Sequence, residues 1–304
     1  MPKLAILTSG GDSPGMNMAI WSAVQSTNWN VLGVREGFSG LLRGDFIPLE
    51  PRETMRYTRY GGTFLGSSRD PDFGTKIPDA LLQLRACEIT HLMVLGGNGS
   101  IRGAAALASA GIKVIGIPGT IDNDVAGSED SIGFDTATNF GLQMIDQFRD
   151  TLEALPRLCV LETLGGDTGF LALEISRAGG ADITLIPEHP MVYSELETKT
   201  RDAIQDHHYA LIVASEGYPS LEQTVLELEK NIGLRLRFSR PSHAMRGGRP
   251  SAHDRSLAAA LGMAGVKALA RGETGMIGWQ NGKAKLLEFK DIPFKKNLKL
   301  EEVL

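Results

Sequence analysis

Short apolar runs alternate with longer stretches of helical spacing along this chain. Leu4–Thr8, His91–Leu95, Val114–Ile117, Cys159–Leu161, Ile183–Ile186 and Leu211–Ala214 are β-branched or Leu-rich and are bounded by Gly, Pro, Asp or Glu. Runs of that kind predict buried strands. Between them, Met16–Gln25, Ile101–Ala110, Thr136–Leu155 and Thr198–Asp206 carry the helical pattern. The alternation predicts an α/β fold with a parallel sheet and helices on both faces. No low-complexity linker divides the chain, and no short repeat runs through it. The turn Gly127–Gly133, ahead of the longest helical stretch, marks the expected crossing between two lobes.

Composition narrows the function classes. A chain of 304 residues fits one large or two ordinary domains. Its hydrophobic fraction of 42% and charged fraction of 22% are those of a soluble globular protein. A net charge of -5 argues against broad nucleic-acid binding. Cys87 and Cys159 are the only cysteines, so no disulfide framework and no thiolate metal site is expected. The amino terminus enters an apolar run without a basic region or cleavage site, and no stretch is long enough to span a bilayer. The cytoplasm is the expected compartment, with no membrane partner.

The segment Ile115–Asp124 reads I-G-I-P-G-T-I-D-N-D. An apolar run breaks at Pro118-Gly119, and a hydroxyl and two carboxylates follow at once. Ligands of α/β proteins gather at the carboxyl ends of strands, so Thr120, Asp122 and Asp124 are expected at a cleft rim. Asp122 and Asp124 point the same way if the segment stays extended. A carboxylate there can accept a proton or face a metal ion, although Asn and Asp beside Gly and Pro also make ordinary turns.

Three further strand ends carry glycine-rich loops: Ser9–Gly15, Gly61–Arg69 and Gly96–Ser100. Glycine lets backbone N–H groups approach a phosphate, and a following helix adds partial positive charge. Neither a Walker A lysine motif nor the dinucleotide fingerprint is present in them, which points to a phosphate site of another design. Arg235, Arg237, Arg240, Arg246 and Arg249 form a basic run around His243 in an otherwise acidic chain. Arginine's always-charged planar fork suits a phosphate, so the run is read as an anion site rather than a solvated face.

These residues resemble, nearly end to end, the ATP-dependent 6-phosphofructokinases of bacterial type. The matching segments are L-T-S-G-G-D-S-P-G-M-N (Leu7–Asn17), G-G-T-F-L-G-S-S-R (Gly61–Arg69), P-G-T-I-D-N-D (Pro118–Asp124) and R-G-G-R-P-S-A-H-D-R (Arg246–Arg255), in the family's order. The resemblance implies two similar Rossmann-like lobes, each a mostly parallel sheet flanked by helices. Residues 1–133 plus about 246–290 would form the larger ATP-binding lobe, and about 134–245 plus 291–304 the smaller sugar-phosphate lobe. It places the sugar phosphate in the cleft between them.

The resemblance also implies roles. Asp122 matches the general base acting on the 1-hydroxyl of fructose 6-phosphate, with Thr120 beside it and Arg69 steadying the transferring phosphoryl group. Gly11, Asp70, Gly97, Asn98, Gly99 and Ser100 fall at the ATP and Mg2+ corner. Arg157, Arg237, His243 and Arg246 match the grip on the 6-phosphate, Glu216 a carboxylate bonding sugar hydroxyls, and Leu164, Gly165 and Gly166 the loop beside the sugar. Arg157 and Arg237 serve a neighbouring subunit's site in the family, so a homo-oligomer, tetramer or dimer, is implied.

The chain departs from the family pattern in three places. Asn98 stands where Asp usually serves the magnesium, leaving Asn98 and Asp124 as the candidate metal contacts. Gly166 replaces an arginine beside the sugar. Trp21, Gln25, Gln205 and His207 replace effector-binding cations, with Arg149 retained, so nucleotide diphosphate or phosphoenolpyruvate should bind that pocket poorly. Gly99 and Gly119, where pyrophosphate-using relatives carry Asp and Lys, favour ATP as donor. The alternatives are a pyrophosphate-dependent enzyme, a kinase of another sugar phosphate, or a catalytically weak sugar-phosphate-binding regulatory subunit.

Overall fold

The structure, a computed structural model, describes residues 2–293 and 295–298. The described chain contains β1 (Lys3–Ser9), β2 (Asn30–Val34), β3 (Phe46–Pro48), β4 (His91–Gly96), β5 (Lys113–Pro118), β6 (Leu158–Thr163), β7 (Ile183–Leu185), β8 (Ala210–Ser215), β9 (Leu236–Ser239), β10 (Gly275–Gln280) and β11 (Lys283–Leu287). Its helices are α1 (Met16–Gln25), α2 (Gly37–Arg43), α3 (Pro51–Thr54), α4 (Ile77–Ala86), α5 (Asn98–Ser109), α6 (Phe134–Ala154), α7 (Phe170–Gly179), α8 (Tyr193–His207), α9 (Leu221–Ile232) and α10 (Ala252–Ala270).

Two compact units divide them. The first comprises Met1–Thr136 and Arg246–Lys296, and the second Ala137–Met245 with the described residues from Asn297 on. The chain passes from one unit to the other inside the first turn of α6, beyond the Gly127–Gly133 turn, and residues 299–304 lie outside the described residues.

The first unit holds a seven-stranded sheet in the order β11-β10-β5-β4-β1-β2-β3. Its five inner strands run parallel, and β3 and β11 pair antiparallel at the two edges. Both faces of the inner strands are buried, which is why they read as continuous apolar runs without alternation. Leu4, Ile6, Met93, Leu95, Ile115 and Ile117 pack with α1 and α10 on one face. Ala5, Leu7, Leu92, Val94 and Val114 pack with α2, α4 and α5 on the other.

The second unit is built on the all-parallel sheet β7-β8-β6-β9. Leu158, Val160, Ile212 and Ala214 meet Leu196 of α8 and Val225 and Leu228 of α9. The carboxyl ends of β1, β4 and β5 therefore gather at one edge of the first sheet. Three of the chemically interesting loops, Ser9–Gly15, Gly96–Ser100 and Pro118–Asp124, begin there.

Candidate active site

The loop after β1 is laced to the Gly61–Arg69 loop. Gly10 N donates to Ser68 O at 3.0 Å, and Ser67 Oγ donates to Gly10 O at 2.7 Å. Beside them α5 starts directly after β4, with Gly97 as an extended N-cap that makes no side-chain cap. The first amides of α5 thus lack a capping side chain and present the partial positive charge of a helix start. A cavity of about 560 Å³ opens here, lined by Gly10, Arg69, Asp70, Gly99, Ser100 and Arg102. Four of the residues expected at the nucleotide corner line this one hollow, and Gly97 and Asn98 flank it in sequence.

The chemistry of that hollow is specific. A side chain at Gly99 would begin in open space, its nearest neighbour being Arg102 Nη2 at 3.8 Å. At Gly119 a Cβ would press on Met16 Cε at 3.1 Å, so packing already opposes a side chain there. Asp70 accepts Lys76 Nζ on both oxygens, at 2.8 and 2.9 Å, which neutralises it at the cavity wall. A Cβ on Gly11 would lie 1.9 Å from Arg246 Nη1. Only glycine lets that guanidinium rest against the backbone of the loop.

The turn after β5 corrects one expectation. Asn123 has φ 52, in the left-handed region that asparagine tolerates, so the segment is not extended and strand alternation does not govern Asp122 and Asp124. Asp122 N donates to Thr120 Oγ1 at 3.2 Å, closing the turn locally. Asp124 instead meets the start of α5: Asn98 Nδ2 donates to its Oδ2 at 2.8 Å and to its main-chain O at 3.2 Å. Burial raises the Asp124 carboxyl above its ordinary pKa, opposed by hydrogen bonds including that from Asn98 and by the charges of Lys296 and Arg102. Among the described residues no group of three or more His, Cys, Asp or Glu is assembled as a metal site.

The second unit carries the other expected residues. Arg157 precedes β6 and Arg237 lies on β9, and both line a cavity of about 640 Å³ with Phe148, Leu152, Cys159 and Phe238. The Arg237 pKa is lowered, by desolvation first and then by the like charges of Arg157 and Arg235. Cys159 is buried, and burial pushes its thiol up to about 12. Glu216 Oε1 accepts Gly165 N at 3.2 Å and Gly166 N at 2.9 Å, which shapes the 164–166 loop, and Leu164 N rests on Met245 Sδ at 3.4 Å. Gly166 has φ +58, and a Cβ there would meet nothing within 4 Å. His243 is exposed on a short 3-10 turn, its Nδ1 3.3 Å from Ser242 Oγ.

The basic run is divided between the two units. Arg240 is tied to Glu162 at 2.8 Å and Glu222 at 3.2 Å and stacks on Phe238, so it is structural. Arg246 belongs to the first unit, Arg235 and Arg237 to the second. Two of the residues compared above with effector-binding positions are engaged within the second unit: Arg149 donates to Gly180 O, and His207 lies 3.2 Å from Asp182.

Sequence reasoning gave Asp254 no role, although it falls inside the segment Arg246–Arg255. It is fully buried on α10, where its Oδ1 accepts Gly133 N at 2.7 Å and its Oδ2 accepts Thr136 N at 2.8 Å. Burial raises its carboxyl to about 6. Its signal in the chain was an acidic residue opening a helix that continues as L-A-A-A-L-G-M.

A sequence profile of the phosphofructokinase family matches residues 3–269. The chain belongs to the phosphofructokinase family. It is 41% identical over 301 residues to an ATP-dependent 6-phosphofructokinase of Macrococcus caseolyticus, covering 96% of this chain and 94% of that one. An ATP-dependent 6-phosphofructokinase of Persephonella marina is 40% identical, with coverage of 93% and 91%. Among solved structures, phosphofructokinase from Saccharomyces cerevisiae superposes with a TM-score of 0.87 at 30% identity over 96% of this chain, which spans 45% of that longer one. The two mostly parallel sheets flanked by helices are those of a phosphofructokinase.

Proposed function

We propose that the protein transfers the γ-phosphoryl group of ATP to the 1-hydroxyl of fructose 6-phosphate, with Asp122 as general base. The observation that carries the reading is the hollow at the start of α5, tied to the Thr120–Asp124 turn by the Asn98–Asp124 hydrogen bond. Donor phosphates and a carboxylate turn are thereby held in one unit. Phosphoryl transfer asks for positioning and charge stabilisation more than covalent chemistry, and glycine loops, an uncapped helix start and an arginine supply both.

In this reading Gly11, Gly97, Gly99 and Ser100 bring backbone amides to the phosphates, and Arg69 steadies the group in transit. The 1-hydroxyl gives its proton to Asp122 as its oxygen bonds the γ-phosphorus. The bond from that phosphorus to the bridging oxygen breaks, and ADP leaves. Thr120 holds the Asp122 amide through its Oγ1. Arg157, Arg237 and His243 take the sugar's 6-phosphate, and Glu216 its hydroxyls. Arg246 is assigned to the same phosphate by the family pattern; its place against Gly11 puts its charge beside the glycine loop as well.

One carboxylate and one amide at the start of α5 fit magnesium, which keeps several waters and leans on substrate phosphates. Asp124 and Asn98 would hold it, and it would neutralise charge on the donor. The cavity holding Arg157 and Arg237 has an apolar wall, and Leu155 on it is 54% exposed, which supports a homo-oligomer completed across that face. Among the described residues no helix is long and apolar enough to cross a membrane, and a cytoplasmic glycolytic role accords with the proposal.

The test is an initial-rate assay with fructose 6-phosphate and either ATP or pyrophosphate. Faster turnover with ATP is expected, from the open space at Gly99. Faster turnover with pyrophosphate would overturn the donor assignment. No product with either would favour a regulatory subunit, the reading that Asn98 motivates.

A further inference from the structure

Asp254 is the most deeply buried carboxylate the chemistry above leaves unused. The segment it holds is the one on which the Pro118–Asp124 turn rests. Ile132 N donates to Pro118 O at 3.1 Å, Ser131 Oγ donates to Thr120 O at 2.7 Å, and Gly119 bridges Ile132 in parallel pairing. Immediately after these residues come the two amides that Asp254 accepts, Gly133 N and Thr136 N, and the Thr136 hydroxyl, which donates to Oδ2 at 2.5 Å. Ser251 N donates to Thr136 Oγ1 at 2.9 Å, and Ser251 Oγ caps α10 by accepting Asp254 N at 3.1 Å.

The same segment also backs the nucleotide loop. A Cβ on Gly15 would strike Ile132 Cγ2 at 2.7 Å and approach Asp254 O at 3.5 Å, and one on Gly133 would strike Ser13 at 2.5 Å. All of these residues belong to the first unit.

We infer that Asp254 is a positioning residue for the reaction, fixing residues 131–136 so that they hold the turn bearing Thr120 and Asp122 in register with the Ser9–Gly15 loop. It touches no substrate. Its carboxylate serves the buried amides of Gly133 and Thr136 from another helix, and these directly follow Ser131 and Ile132, which hold the main-chain oxygens of Thr120 and Pro118. A carboxylate fits because it only accepts, and every group facing it donates. An amide in its place would turn an NH2 toward an N–H or a hydroxyl and lose at least one bond.

The inference rests on the reading of Asp122 as base, and its test separates the two. The full-length Asp254→Asn, Thr136→Ala and Thr136→Ser proteins are compared with wild type in steady-state kinetics and in hydrogen exchange read by peptide. Because a misplacement of about 1 Å can cost about a hundredfold in rate, Asp254→Asn is expected to lower kcat about ten- to a hundredfold. The KM for fructose 6-phosphate should stay within about twofold, since Arg157 and Arg237 are untouched, as expected when only transition-state interactions are lost. Thr136→Ala should lose less in the same direction, and Thr136→Ser should recover it. Exchange should quicken in peptides covering residues 116–136 and stay unchanged in those covering β6 and β8. Wild-type kcat in Asp254→Asn and Thr136→Ala, or exchange that rises equally throughout the chain, would overturn the inference. Should Asp254→Asn fail to accumulate, the Thr136 pair decides. A wild type inactive with ATP and fructose 6-phosphate refutes the assignment of Asp122 instead, and the exchange pattern still decides the role of Asp254.

Discussion

Replacing Asn98 by Asp tests how the metal corner is built. In the native protein Asn98 Nδ2 donates to Asp124 Oδ2 at 2.8 Å. The substitution removes a hydrogen bond to a charged group, worth about 1.5–3 kcal/mol. It also sets two carboxylates at that separation, where unit charges repel by about 6 kcal/mol at an effective dielectric of about 20. Side-chain rotation and solvent relax most of the repulsion, so a net cost of about 2–3 kcal/mol is expected without metal. That corresponds to a Tm lower by about 3–5 °C for a chain of this size. A divalent cation converts the repulsion into a binding site, so added magnesium should close the Tm gap by linkage. Initial rates should follow, with Asn98→Asp exceeding wild type at limiting magnesium and meeting it at saturation. The measurements are thermal unfolding in chelator and in graded magnesium, and magnesium titrations of rate at saturating ATP and fructose 6-phosphate. Unchanged Tm in chelator together with superimposable titrations would refute both the coupling of Asn98 to Asp124 and its service to the metal.

Asp122→Asn should cut turnover about 10²–10⁴-fold while leaving sugar-phosphate affinity nearly intact, as loss of general-base assistance does; near-normal forward turnover would remove Asp122 from that role. Mixing inactive Asp122→Asn with inactive Arg237→Ala should restore some activity as subunits exchange, and silence from demonstrated hybrids would argue against sites shared across subunits. For Asp254 the folded-state value near 6 lies above the ordinary carboxyl value of about 4, so the folded protein keeps this proton to higher pH than the unfolded chain does. Its proton-linked stabilisation is complete below about pH 4 and is lost as pH rises through 6, up to about 3 kcal/mol. The stability difference between wild type and Asp254→Asn, from denaturant unfolding, should therefore slope between those limits and be flat above them. A difference independent of pH would mean that the group does not titrate there.

The central strands were legible because burial on both faces leaves an unbroken apolar run, as in Leu4–Thr8 and Leu211–Ala214. Of the edge strands, Ile183–Leu185 was legible, but those carrying charge were not. Leu236–Ser239 reads L-R-F-S and Lys283–Leu287 reads K-A-K-L-L, charged enough at one-sided exposure to lack a period. The return of the chain to the first unit at Arg246 has no periodic signature either, because it depends on which core the later helix joins. At the site, motif order named Arg69, Asp70, Gly99 and Ser100, and they meet on one cavity. The pairing of Asn98 with Asp124 was hidden, since it joins two loops through a turn whose left-handed Asn123 no spacing rule foretells. Asp254 was hidden for a related reason: its partners lie 118 to 121 residues away in the chain.

The two cysteines fall one to each unit, Cys87 half-buried at the end of α4 and Cys159 buried on β6. A buried thiol with so high a pKa reacts far more slowly with alkylating reagents than one on an exposed strand. Brief labelling pulses along a denaturant gradient would therefore read the opening of the second unit through Cys159, with Cys87 marking the surface of the first. The native chain carries its own pair of reporters for whether the halves of a phosphofructokinase come apart together or in turn.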